Sequence, residues 1–448
     1  FIYNGAGDGY LAWASDFSGR YASQGYDSKK YINSVTDRRG NTINYTNDPI
    51  TGKVTQIQLP LTQSDTPGQT QPPTINYTYT NNYYLHTVQG ENGQTTSFTR
   101  DPTNNRVTRI DYPDSGYETF SYDAGHFYQI SSHRLSTGGT ETFSYDASNR
   151  LQYYSDAYHT NPGNPSIQYF YDTRDRVSGI LDALSNPTNW QYNERGQVIV
   201  TTLPPDPFDN NTRHTITNVY NADGTLQSKT DALGNVWSYT YDDYRRIRSV
   251  TTPGRGDGGG GHTTTYFYDA NGVGNDYTFT DSNVTWIVLP SGKKTKNVYD
   301  VNRFKTSVTI APGTSDELVT TYQYDAVGNL IQVTNPRQMS VVTSYDERNR
   351  PSSINDRGRT TTFTYDTSGR LKTTTRPNGQ VITNETFDAM NRVTRQRVTQ
   401  TPEPDAVTNF DYYASGPANL LHTMQDPRLV QLNNAEQYTY EYDLMALS

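Results

Sequence analysis

A Tyr-Asp pair that returns about every twenty residues constrains this chain more than any other feature. Residues 320–371 hold three copies in close succession: Tyr324-Asp325, Tyr345-Asp346 and Tyr365-Asp366. Their tyrosines stand 21 and 20 residues apart, and each pair is followed by Gly or Asn and often by Arg, as in Gly328-Asn329, Asn349-Arg350 and Gly369-Arg370. Self-similarity at a fixed short period marks a repeat architecture, which grows by stacking like units and needs no larger central core.

The copies can be traced almost from end to end. Residues 1–25 read as a degenerate first repeat, and Tyr26-Asp27 restarts the series. Asn47-Asp48, Tyr79, Arg100-Asp101, Tyr122-Asp123, Tyr145-Asp146, Tyr171-Asp172 and Tyr192-Asn193 follow. Tyr220-Asn221, Tyr241-Asp242, Tyr268-Asp269 and Tyr299-Asp300 lead into residues 320–371, and Phe387-Asp388, a weak copy at Tyr412, and Tyr442-Asp443 come after. The expectation is a single continuous array over residues 1–448 of roughly eighteen repeats, with no other domain type. Residues 60–75 and 254–261 read as inserted loops, and the Pro/Gly/Asn-rich stretches 161–165, 204–211 and 401–404 as further insertions, which in solenoids map to loops and often to one face.

Each repeat reads as a β-hairpin. Between Tyr345 and Asp366 two turn signals, at 346–349 and 356–359, separate two runs short enough to be strands. Asp bonds backbone two residues on, and Gly or Asn accepts a positive φ, so both signals have a mechanism. Thr- and aromatic-rich runs such as residues 360–365 favour strand over helix. No segment carries a sustained helical period with caps. The predicted fold is all-β: an antiparallel hairpin meander in one long sheet. The aromatic-x-Tyr pattern, as in Phe143/Tyr145, Trp190/Tyr192 and Phe363/Tyr365, puts two rings on one face of each repeat. Alternation fails on the next strand, where Leu330 and Val333, three residues apart, would face opposite ways. Leu371 and Val393 are expected to fill the gaps between ring patches.

A lone hairpin is marginal in water, so each repeat needs its neighbours. Some thirty-six strands spaced ~4.8 Å apart make a ribbon on the order of 170 Å long. Open twisted sheets rarely exceed about ten strands without curling, so this one is expected to spiral into a curved shell or hollow tube. Composition fits this only because of its tyrosines. An apolar share of 32% and a mean hydropathy of −0.85 lean towards disorder, but 38 tyrosines supply rings to bury.

At Tyr365-Asp366-Thr367-Ser368-Gly369-Arg370-Leu371 and its sister copies the chain resembles the Rhs/YD-repeat family, which includes bacterial Rhs polymorphic toxins, cocoon components of insecticidal toxin complexes, wall-associated proteins and the teneurins. The resemblance covers nearly the whole chain. It implies a β-sheet spiralling into a large shell, which in toxin members encloses a C-terminal toxin domain, and it implies possible carbohydrate binding. It also implies an extracellular or cell-surface, secreted protein. Toxin members end the shell with paired Asp-Pro-x-Gly motifs that self-cleave. Here Asp426-Pro427-Arg428-Leu429 lacks the glycine, so neither protease residues nor toxin activity carry over.

Other chemistry is thin. A net charge of −9 disfavours nucleic acid, and no apolar run is long enough to span a bilayer. The chain has no cysteine, hence no disulfide or thiolate chemistry. His86, His126, His133, His159, His214, His262 and His422 show no metal-ligand spacing. Asp242-Asp243 reads as a turn cap rather than a glycosidase dyad, and residues 206–209 match neither an EF-hand loop nor an RTX nonapeptide. Arg255-Gly256-Asp257, an integrin-type tripeptide, sits in a Gly-rich insertion that is flexible whatever its sequence. No catalytic, metal or cofactor residue is expected, and no cofactor.

The site residues are therefore structural: Tyr122, Asp123, Tyr145, Asp146, Tyr171, Asp172, Tyr241, Asp242, Tyr268, Asp269, Tyr324, Asp325, Tyr345, Asp346, Tyr365, Asp366, Gly369, Arg370, Tyr442 and Asp443. The expected function is a non-enzymatic shell segment that encloses or displays a partner or toxin domain absent from this chain. An adhesin binding surface glycans is a second reading. The chain starts at one aromatic-x-Tyr and stops just after another, which also suits a segment cut in phase from a longer protein, or a filament of copies joined end to end. Partners are then other YD-repeat segments of the same or identical chains, an enclosed toxin domain, or glycans.

Overall fold

The computed structural model describes residues 2–3, 11–15, 21–62, 71–81, 83–125, 128–136, 138–156, 166–254, 261–269, 283–412, 421–425 and 437–440. Among these residues there is no helix, and 37 strands form one sheet. The strand pairings join neighbours in sequence, all antiparallel, as in Ser340–Tyr345 with Pro351–Asp356 and Arg359–Tyr365 with Leu371–Thr375. The chain is thus the hairpin meander that its turn spacing predicts. By contacts it divides into two compact units, one of residues 1–121, 133–140 and 321–448, the other of residues 122–132 and 141–320.

The sheet is one layer thick and its core is correspondingly shallow. Among the described residues, Tyr365 at 8% exposure and Val407 at 7% are the buried apolar ones. Stability must come from many half-buried cross-strand pairs instead of one deep centre.

One irregularity recurs at the Tyr-Asp turns. Tyr324 faces Leu330 and Gln323 faces Gln332, so Ile331 has no partner and the strand carries a β-bulge. The extra residue brings Leu330 and Val333 to the same face, opposite Tyr324 and Tyr322. This removes the conflict in the sequence pattern, because a bulge resets a period of two. The same shift places Leu151 and Tyr154 opposite Tyr145 and Phe143, and Leu371 and Thr374 opposite Tyr365 and Phe363. Leu371 and Val393 accordingly face Tyr365 and Phe387 directly across the ladder, where gap-filling between ring patches was expected.

Two of the expected loops are longer hairpins. Residues 204–206 end strand Val198–Asp206 and 207–211 turn into Thr212–Tyr220, while 401–402 join Val393–Gln400 to Glu403–Tyr412, which takes in 403 and 404. Prolines lack the N–H a ladder needs, and the register shifts between Thr202 and Pro205. Arg213 covers the interruption, donating to the carbonyls of Leu203, Thr202 and Pro187 and to Asn189 Oδ1. The 60–75 insertion ends earlier than expected, since strand Thr74–Thr80 takes in its last residues. Most of 254–261, with Arg255-Gly256-Asp257, and all of 161–165 and 426–429 fall outside the described residues.

Candidate functional site

The Tyr-Asp turns build a spine along one edge of each run of hairpins. At Asp346 the backbone N–H donates to the Arg350 carbonyl at 2.9 Å, and the Asp346 carbonyl accepts from the Asn349 N–H at 3.1 Å. The loop 347–349 needs a left-handed residue at its end, and Asn349 has φ +62°. Gly369 holds the same place at φ +76°, where an added Cβ would also meet Glu91 Oε2 at 3.4 Å.

The Asp carboxylate closes the loop from inside. Asp346 Oδ1 accepts from the N–H groups of Arg348 and Arg350, each at 2.9 Å, and Oδ2 accepts from Arg350 Nε at 2.7 Å. Asp146, Asp172, Asp242, Asp366 and Asp388 hold Arg150, Arg176, Arg246, Arg370 and Arg392 in the same way. The Arg150 and Arg176 guanidiniums keep the Asp146 and Asp172 carboxyls below the usual aspartate range. Asp325 uses Asn329 in place of Arg, and Asp123 caps Gly125 in a longer turn. Asp242 acts as such a cap, its carboxylate accepting from the Tyr244 and Arg246 N–H groups and from Arg246 Nε.

Each arginine then reaches the next repeat. Arg350 lies 4.1 Å from the Tyr365 ring centre, Arg150 4.5 Å from that of Tyr171, and Arg246 4.1 Å from that of Tyr268. The tyrosine hydroxyl turns back to the previous repeat. Tyr365 Oη donates to the Pro351 carbonyl at 2.8 Å, Tyr345 Oη to that of Leu330 at 3.2 Å, and Tyr171 Oη to that of Leu151 at 2.6 Å. The same bond joins Tyr145 to Ile130, Tyr192 to Val177, and Tyr268 to Ile247. Pro351, Leu330 and Leu151 are the bulge residues facing the preceding tyrosine, so each hydroxyl satisfies the carbonyl beyond the end of a ladder. Burial raises Tyr145, Tyr171, Tyr268 and Tyr365 above the ordinary tyrosine value.

The arginine of this relay was only noted as frequent in the sequence. Its spacing of four from Asp, with tyrosine about twenty residues on, is the signal that carries the relay. Tyr241 lies half-buried in its strand, raised by burial, and Asp269 is 4% exposed, while Tyr442 and Asp443 lie outside the described residues.

A second feature lies inside the first unit, where the edge of its N-terminal run meets Tyr-Asp turns of its C-terminal run. Arg39 donates to the Asp346 carbonyl and to Asn349 Oδ1, each at 2.7 Å, and lies 3.6 Å from Asp325. Arg348 donates to the Pro60 carbonyl at 2.9 Å and pairs with Glu91 at 3.2 Å. Arg350 donates to Thr62 Oγ1 at 3.0 Å, and Asn92 to Asn391 Oδ1 at 2.7 Å. A cavity of about 450 Å3 opens at this seam, with an apolar floor of Val35, Ile43, Leu59 and Pro60 beneath Arg348 and Arg350. A second, of about 370 Å3, lies between Tyr112 and Met390. Nothing in the sequence pattern pairs residue 39 with residue 346.

Of the described histidines, His133 meets Glu118 at 3.0 Å and stacks on Phe120, while His214 and His422 meet Asp209 and Asp411. Among the described residues no three His, Asp or Glu side chains gather to hold a metal. No described helix is long and apolar enough to cross a membrane.

The RHS Repeat family model matches residues 220–257 and 345–381. No curated protein sequence matches the chain. Among solved structures, the TcdB2–TccC3 complex with Cdc42 matches with a TM-score of 0.62 at 13% identity, covering 94% of this chain and 24% of that one. TcdB2–TccC3 alone matches at 0.60 and 13%, over 94% of this chain and 27% of that one. The Photorhabdus luminescens Tc holotoxin pore matches at 0.59 and 13%, over 91% and 26%. The chain spans about a quarter of the length of these solved chains, and at such identity the likeness is one of fold. Two segments of the chain thus match the RHS Repeat model, and nearly all of its length shares the fold of these solved structures.

Proposed function

We propose that this chain is a wall segment of a secreted or cell-surface Rhs-type shell, which encloses or displays a partner domain lying outside residues 1–448. The supporting observation is the single continuous sheet with its shallow core, whose repeats are tied to one another by the Asp–Arg–Tyr relay. A sheet held at its turns and thin at its centre suits a container more than a site of chemistry. The role is mechanical, and the Tyr-Asp residues act by holding the wall.

The fold shared with TcdB2–TccC3 supports the same reading, with a toxin domain as the enclosed partner. Negative-stain imaging of the intact gene product tests it: a hollow or curved-walled body is expected, and a solid globule would overturn the reading. Secretion is tested separately, by fractionating the native cells and locating the product with an antibody.

A further inference from the structure

Two kinds of joint hold the first unit together, and they differ in strength. Within each run, consecutive strands share backbone ladders. Across the seam, among the described residues, no backbone–backbone hydrogen bond passes from one run to the other. The bonds that do cross are made by side chains, chiefly Arg39, Arg348, Arg350 and Asn92. The seam is also poorly filled. Cavities of about 450 and 370 Å3 lie along it, and Arg39 Nε is buried without an acceptor. Space of this size gives up dispersion contacts that a packed joint would make, and a buried orphan N–H is a standing cost.

We propose that this seam is a latch: a reversible joint that opens while the hairpins on both sides stay folded, with Arg39 and Arg348 as the residues that hold it shut. Opening breaks side-chain bonds and no ladder. Arg39 grips three turn groups of the facing run, and Arg348 joins the Pro60 carbonyl and Glu91, so their loss releases most of the charged contact. Regions joined by few apolar contacts open locally at far lower free energy than the whole fold.

The natural chain has no cysteine, so one introduced thiol reports on its own position. Thr62, 8% exposed under Arg350, is the seam reporter as Thr62→Cys. Val407, 7% exposed within a ladder strand, is the control as Val407→Cys. Labelling by a maleimide measures opening at each position. Arg39→Gln with Arg348→Gln is expected to speed labelling at 62 about tenfold or more, as a loss of about 1.4 kcal/mol would, and to leave 407 unchanged. A second arm keeps both arginines and raises sodium chloride from about 0.1 to about 1 M, shortening the screening length from about 10 to about 3 Å. Labelling at 62 should again rise alone. An unchanged rate at 62 in both arms, or an equal rise at 407, would overturn the latch.

Discussion

The Tyr365 hydroxyl donates to the Pro351 carbonyl at 2.8 Å, and so ties one repeat to the bulge of the repeat before it. Pro351 faces Tyr345 across the ladder, so the bond closes a gap that the bulge itself creates. Tyr365→Phe keeps the ring under Arg350 but removes this part-buried bond to the Pro351 carbonyl. A loss of about 1–2 kcal/mol in urea unfolding is expected, with the slope unchanged. No loss would mean that water replaces the hydroxyl.

Asp346 is 4% exposed, and its removal should cost far more. Asp346→Asn leaves Arg350, 15% exposed, without its carboxylate. The expected loss is about 3 kcal/mol or more, the range for breaking a buried pair from one side. Asp356→Asn is the contrast, because that pair with Arg357 is about half exposed on both partners and should leave stability almost unchanged. Equal effects in matched chemical unfolding curves would remove burial as the reason.

The bulge at Ile331 sets which face every later side chain of its strand takes. Inserting one alanine between Gln332 and Val333 should turn Val333 away from the Tyr322 face, since a one-residue slip reverses a strand. Limited proteolysis should then cut near residues 330–345, while Ile331→Val leaves the digestion pattern of the natural chain. An insertion variant as resistant as the natural protein would show that register is set elsewhere.

Stability should form a plateau bounded by two titrations. Burial raises Tyr145, Tyr171, Tyr268, Tyr365 and Tyr412 above 10.0, so the folded chain holds protons that the unfolded chain releases. Their contribution is complete below pH 10.0 and is lost as pH climbs through the raised values. Asp146 and Asp172 lie below 3.8, chiefly through their Arg hydrogen bonds, so their contribution is present above that value and is lost as pH falls through the lowered ones. Thermal melts across pH should fall at both ends, and Tyr171→Phe should soften only the alkaline fall. A melting curve flat through pH 11 would count against the tyrosine spine.

Much of the repeat was legible because turn chemistry is local. An Asp that caps backbone two and four residues on, with Asn349 or Gly369 taking the positive φ, needs only neighbours in sequence. The bulge was visible only as an anomaly at Leu330 and Val333, since a period of two gives no sign of an unpaired residue until its partner strand is known. The arginine relay was harder still. Arg350 acts between its own Asp and a tyrosine of the next repeat, and composition records it merely as a frequent neighbour.

By itself the sequence determined the repeat, the hairpin, the antiparallel order and the turn residues, because each follows from groups within about twenty residues of one another. Only the tertiary structure decided which carbonyl each tyrosine meets, and that Arg39 lies against Asp346 and Asn349, 307 and 310 residues away. Contacts at that range depend on the summed geometry of every hairpin between them, and no local pattern of residues carries that sum.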